Sequence, residues 1–307
     1  MISYLRLNAL GTFVNFSVGN RTTVAGAAAA LIAAAAILAV FGSSRAASAG
    51  DGSAVPGEAR QSSLTLELPP AAHDRIYGSD AARGRPIVVL DAGHGGRDPG
   101  ARSVSGAVAE KDLTLALARE LRDKLVERGR VRVALTREND DYLTLEDRAA
   151  VARRLDAAMF VSLHMDSAAN PLARGASVYS LSDVASDAEA ARFAAQQNAG
   201  FTAGEGNGSV DSILSELAMR SQMSASADLA TRLIKRSAGR FELRPEPHRF
   251  AAFHVLRRAG APAVLFEAGY LSNADDETLL RDPKHRSDIV LALAQAIEAD
   301  VASHARH

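Results

Sequence analysis

From residue 86 onward, short uninterrupted apolar runs alternate with longer segments in which apolar residues recur every three or four positions. Ile87–Asp91, Met159–His164, Ala176–Leu181 and Ala263–Glu267 are runs of the first kind, bounded by Gly, Pro or polar clusters, and predict buried strands. Leu113, Leu117, Leu121 and Leu125 recur every four residues as one apolar stripe ending at Gly129, which predicts a helix over 111–128. Further segments predict strand 131–135 and helices 145–155, 226–238 and 287–303. Strands alternating with helices predict an α/β fold: a single catalytic domain whose largely parallel, twisted sheet is flanked by helices.

The 87–263 alternation is interrupted by a long stretch, residues 182–225, that predicts a helical insert. SDAEAARFAAQQNAGF offers a short helix, TAGEGNGS a flexible link, and Val210, Ile213, Leu214 and Leu217 an apolar face on a second helix. So long a connection in a compact domain points to a regulatory element or a substrate lid.

Chemistry gathers at the carboxyl ends of the predicted strands, where α/β sheets place their sites. The first strand breaks into the glycine-rich turn GHGGRDPG around His94, and the strand at 159–164 ends in His164. Glu110 stands at the start of the leucine-striped helix, a position that also suits an acid interacting with the helix dipole. Two histidines and a carboxylate suit zinc with an open fourth position, although Fe(II) sites use a similar set. Glu267 ends the last predicted strand, and a carboxylate beside such a metal is a general-base candidate. His248 lies shortly upstream of that strand, while His73, His254, His285, His304 and His307 have no assigned role.

The ordered blocks DAGHGGRDPGA, the Glu110-led helix, LTRENDDYLTLEDRAAVARR, MFVSLHMDSA, GASVYSLS and VLFEAGYLSN resemble the zinc-dependent N-acetylmuramoyl-L-alanine amidases of the bacterial cell wall, over about residues 86–307. The resemblance implies one Zn2+ per chain on His94, Glu110 and His164, with Glu267 as the catalytic carboxylate. It implies cleavage of the amide between N-acetylmuramic acid and L-alanine of peptidoglycan during wall remodelling and daughter-cell separation. It places Thr136, Arg137, Arg148 and Asn273 in matching blocks as scaffold or substrate-groove residues, with His248 a further groove candidate. Met165 departs from the family, where Ala is expected after the histidine. Division-associated relatives carry an insert that covers the metal until a periplasmic divisome activator withdraws it, so Glu189 and Glu205 become candidate blocking residues. The same ligand set would serve a carboxypeptidase or deacetylase, and a non-catalytic wall-binding regulator could keep the fold.

Composition narrows the setting. The 307-residue chain has no cysteine, which excludes thiolate ligands, thiol catalysis and disulfides. A net charge of −1 argues against nucleic acid as a partner. Val24–Phe41 is uncharged and alanine-rich, and Ala47-Ser48-Ala49 follows it, so residues 1–49 read as an export signal or, if uncleaved, a membrane anchor. The segment ahead of that run is long for a signal's basic region and reads as an extended leader or a mis-set start codon. Residues 50–84 read as a linker, 85–307 as the catalytic domain, and the destination as exported, periplasmic.

Overall fold

The structure, a computed structural model, describes residues 74–199 and 211–304. The expected export segment, Glu205, His73, His307 and Val210 lie outside the described residues. Seven strands form one sheet: β1 (Ile76–Tyr77), β2 (Ile87–Ala92), β3 (Arg132–Leu135), β4 (Met159–Asp166), β5 (Ala176–Leu181), β6 (Leu243–Ala251) and β7 (Ala263–Tyr270), in the order β1-β3-β2-β4-β7-β5-β6. The central four, β3, β2, β4 and β7, are parallel. β1 pairs antiparallel to β3, and the β5–β6 pair runs opposite to β7, so the sheet is mixed at both margins.

Among the described residues seven α-helices accompany it: α1 (Glu110–Arg128), α2 (Leu145–Arg154), α3 (Ala188–Gln197), α4 (Asp211–Ser237), α5 (His254–Arg258), α6 (Ala274–Arg281) and α7 (Pro283–His304). One sheet face packs Val88, Leu90, Val161, Leu163 and Phe266 against the leucine stripe of α1, Leu229 and Leu233 of α4, and Ile289, Leu293 and Ile297 of α7. The opposite face packs Val89, Phe160, Tyr179 and Leu265 against Val151 of α2, Ala190 and Ala194 of α3, and Leu256 of α5. Each of these central strands is buried on both sides, which is why it reads as a continuous apolar run rather than an alternation. Among the described residues no helix is long and apolar enough to cross a membrane.

Four features differ from the sequence expectation. β4 and β7 continue past His164 and Glu267 to Asp166 and Tyr270, so both residues stand within strands rather than at their ends. A nine-residue strand, β6, occupies LRPEPHRFA, where Pro245 and Pro247 argue against a strand; prolines are tolerated here because β6 is an edge with β5 as its only neighbour among the described residues. Finally, residues 211–237 are one continuous helix, with Met219 and Met223 packed on one core and Leu229, Ala230 and Leu233 buried in the other, so the second half of the expected insert is the start of a core helix and about 182–210 remains as an insertion. β1 also lies inside the expected linker, and its pairing with β3 carries the folded unit back ahead of residue 85.

Candidate metal centre

The centre begins with the turn after β2. His94 adopts a left-handed conformation, φ 60°, unusual for a residue with a Cβ, and two buried arginines hold it there. Arg148 of α2 donates to the carbonyls of Ala92 (2.7 Å) and His94 (2.6 Å), and Arg137 donates to those of Ala92 (2.9 Å) and Gly93 (3.0 Å). Beneath them Asp91, also buried, accepts from Arg148 (2.8 Å), Thr136 (2.7 Å) and Ser162 (2.6 Å). Burial would raise the Asp91 carboxyl, but Arg148 and the Ser162 hydroxyl outweigh it and hold the pKa below the usual carboxylate value. Thr136, Arg137 and Arg148 are thus scaffold under the turn; Arg148 also reaches the wall of a neighbouring cavity of about 550 Å³.

Above this floor, His94, Glu110 and His164 converge, with potential ligand atoms all within 4.8 Å of one another. Glu110 opens α1, but its carboxylate turns inward instead of toward solvent. Oε1 accepts from the Met165 amide and lies 3.0 Å from His164 Nδ1, while Oε2 accepts from the Ala101 amide and lies 3.0 Å from His94 Nε2. The use of the Met165 backbone, with its side chain in the core, explains how a change from the family's alanine is accommodated at that position. His94 Nδ1 is bonded to Asp98 (2.9 Å), which fixes the ring and leaves Nε2 facing Glu110. Space is tight: a Cβ on Gly93 would come within 2.4 Å of the His164 ring, and one on Gly100 within 2.5 Å of Glu110 Oε2.

The group fits a divalent metal. His94 Nε2 is buried and close to Glu110 yet misaligned for a hydrogen bond, so it is an orphaned lone-pair or proton site. Two imidazoles, that of His94 oriented by Asp98, and the carboxylate of Glu110 form a donor set for zinc. Without a metal the carboxylate charge falls on the rings: burial lowers the His94 pKa, but Asp98 and Glu110 override it and push it up to about 9. Glu110 is opposed by burial yet held well below its ordinary value by His164 and His94. His164 moves the other way, lowered chiefly by burial.

Glu267 lies beside the centre in register with His164 on β4 and Ser177 on β5. It is fully buried, and neither carboxylate oxygen has a hydrogen-bond partner. Burial, then Asp166 and Glu110, raises its pKa well above the usual value, which favours a carboxylate that takes up a proton. A cleft of about 480 Å³ opens over His94 and Glu110, walled by Arg97, Tyr142 and Asp166 and, from the insert, by Phe193, Gln196 and Gln197.

The remaining expected site residues lie elsewhere. His248, on β6, bonds Ser180 (2.9 Å) and stacks on Phe250, and it lines neither cavity. Asn273 caps α6 by accepting from the Asp275 and Asp276 amides, while its side-chain amide donates to the Pro171 carbonyl. Glu189 points toward β6, where Arg244 and Arg249 both donate to it, rather than toward His94. Asp98, Asp166, Arg97 and Tyr142 were missed; the Asp four residues after His94 was the one legible signal, since a metal-binding histidine needs a partner for its second nitrogen.

Comparison with known proteins places this geometry. The family model described as N-acetylmuramoyl-L-alanine amidase (Amidase_3) matches residues 88–299. The chain is 32% identical over 220 residues to the N-acetylmuramoyl-L-alanine amidase AmiA of Escherichia coli, covering 70% of this chain and 75% of that one. It is 35% identical over 220 residues to AmiC of Neisseria meningitidis, covering 70% of this chain but 52% of that longer one. The catalytic domain of the amidase CwlV from Paenibacillus polymyxa superposes with a TM-score of 0.53 at 30% identity, over 69% of this chain and 96% of that domain. The chain belongs to the N-acetylmuramoyl-L-alanine amidase family.

Proposed function

We propose that this chain hydrolyses the amide bond between N-acetylmuramic acid and the L-alanine of peptidoglycan stem peptides, with one zinc ion on His94, Glu110 and His164. The observation that carries the reading is the buried, unpartnered Glu267 standing in register with His164 beside the three converging ligands. Zinc, when bound, supplies Lewis acidity that polarises a carbonyl and lowers the pKa of water towards ~7. The chain supplies the rest. Glu267 takes up a proton at one carboxylate oxygen and delivers it to the leaving nitrogen, a cycle its raised pKa suits. Asp98 holds His94 in orientation, and the buried sheet around Glu267 excludes bulk water.

In this reading residues 1–49 direct export, the enzyme works in the periplasm, and its role is wall remodelling at division. The insert helix α3 forms one wall of the cleft, which supports a partner that moves it: a periplasmic divisome activator acting on residues 182–210.

The test is product analysis on purified sacculi. The wild-type chain with zinc should release stem peptides bearing an N-terminal L-alanine. His94→Ala should lose both zinc and hydrolysis, whereas Glu267→Gln should keep zinc and slow by ~10² or more. Release of D-alanine or acetate instead, or wild-type turnover by Glu267→Gln, overturns the assignment.

A further inference from the structure

One rim of the cleft is rigid in a way the metal centre does not require. The guanidinium of Arg97 lies over the ring of Tyr142, 4.1 Å from its centroid, and both residues line the cleft over His94. Their loops are locked together. Gly96 donates to Asp140 (2.7 Å), and Lys111 bridges the Gly96 carbonyl (2.9 Å) and Asp140 (2.6 Å). Gly96 stands at φ 57°, and a Cβ there would come within 2.8 Å of the Tyr142 amide nitrogen.

Arg97 is exposed and, among the described residues, has no carboxylate within ion-pair distance. Its neighbour Asp98 is engaged by His94 and by the Gly100 amide. Among the described residues it is the one arginine or lysine lining this cleft, whose other acid-base walls besides His94 are the acidic Asp98, Glu110 and Asp166. A stacked guanidinium has a fixed plane, and a fixed plane with free N–H groups is suited to a carboxylate held through two parallel hydrogen bonds.

We propose that Arg97, held on Tyr142, is a carboxylate-reading subsite that makes the enzyme prefer stem peptides whose second residue keeps its free α-carboxylate over those in which it is amidated. This rests on the peptidoglycan reading and deepens it. The stem's second residue is a glutamate linked through its side chain, so its α-carboxylate stays free unless amidated, and it adjoins the L-alanine at the scissile bond. That places an anion next to the reaction centre, on a rim where Arg97, the one unpaired cation among the described residues of the cleft, is three residues from His94.

The experiment uses two synthetic N-acetylmuramoyl tripeptides that differ only in carboxylate or carboxamide at the second residue. Binding is measured on the zinc-loaded full chain carrying Glu267→Gln, so the result does not depend on turnover, and kcat/KM is measured on the otherwise wild-type chain. The acid should bind about tenfold more tightly than the amide. Arg97→Gln should erase that ratio by weakening the acid alone, Arg97→Lys should restore part of it, and Tyr142→Leu should reduce it. An unchanged ratio in Arg97→Gln, or an equal loss on both ligands, overturns the subsite. Normal discrimination in binding without cleavage of either ligand by the wild type would uphold the subsite and overturn the hydrolase reading.

Discussion

At the scale of single residues, the centre is governed by how a few backbone carbonyls and carboxylates are satisfied. The left-handed His94 is tolerated because Arg137 and Arg148 occupy the carbonyls on either side of it, so the imidazole is aimed before any metal arrives. The same acidic surroundings load it with a proton. With its pKa at about 9, His94 is an imidazolium at neutral pH in the metal-free chain. That pairing stabilises the metal-free fold fully below the ordinary value of 6.5, and the contribution is lost as pH rises through about 9. Metal binding has the opposite trend, because the ion must displace that proton. Zinc affinity should therefore rise about tenfold per pH unit as pH climbs towards 9 and level off above it. A competition titration against a chromophoric chelator would show it, and a flat profile would contradict a protonated His94.

At the scale of elements, α3 is the part whose position matters most. It is anchored at its first turn, where Asp187 caps the helix and pairs with Arg249 and where Glu189 accepts from Arg244 and Arg249. Further along, Phe193 packs against Tyr179 and Phe253. Arg249 is only 3% exposed while the acids facing it are about two-fifths exposed, so the latch is half-screened. Asp187→Asn with Glu189→Gln should weaken docking of α3 by about 1–3 kcal/mol. If the helix gates the cleft, hydrolysis of sacculi should rise several-fold at constant zinc content, with faster amide exchange over residues 188–197. Faster exchange without faster hydrolysis would show that α3 is a fixed wall rather than a gate.

At the scale of the whole molecule, the folded unit is a sheet buried on both faces whose margins are fixed by short pairings. β1 closes one margin: Arg75 and Arg122 both lie over the Tyr77 ring, at 4.6 and 4.5 Å, and Asp74 takes a two-pronged contact from Arg154 at 2.8 and 2.7 Å. A chain beginning at residue 85 discards all of this. Its urea midpoint should correspond to a stability about 1–3 kcal/mol lower than that of a chain beginning at residue 74, with metal affinity retained. Equal midpoints would make β1 an ornament of the fold.

The sequence by itself determined the four central strands and the leucine-striped helix, and it singled out His94, Glu110, His164 and Glu267 as candidates. These are legible because double-sided burial demands continuous apolar runs, and because glycines and acids interrupting such runs stand out against them. What lies at the margins was decided only by tertiary structure. Pro245 and Pro247 are compatible with a strand only once β6 is known to be an edge, and the prolongation of β4 and β7 past their site residues follows from their pairing with each other. Likewise nothing local distinguishes Glu189 as a partner of Arg244 and Arg249 from Glu189 as a metal-facing acid. Direction is a property of packing: a side chain's chemistry is written in the chain, but which neighbour it meets depends on residues some sixty positions away that the fold brings beside it.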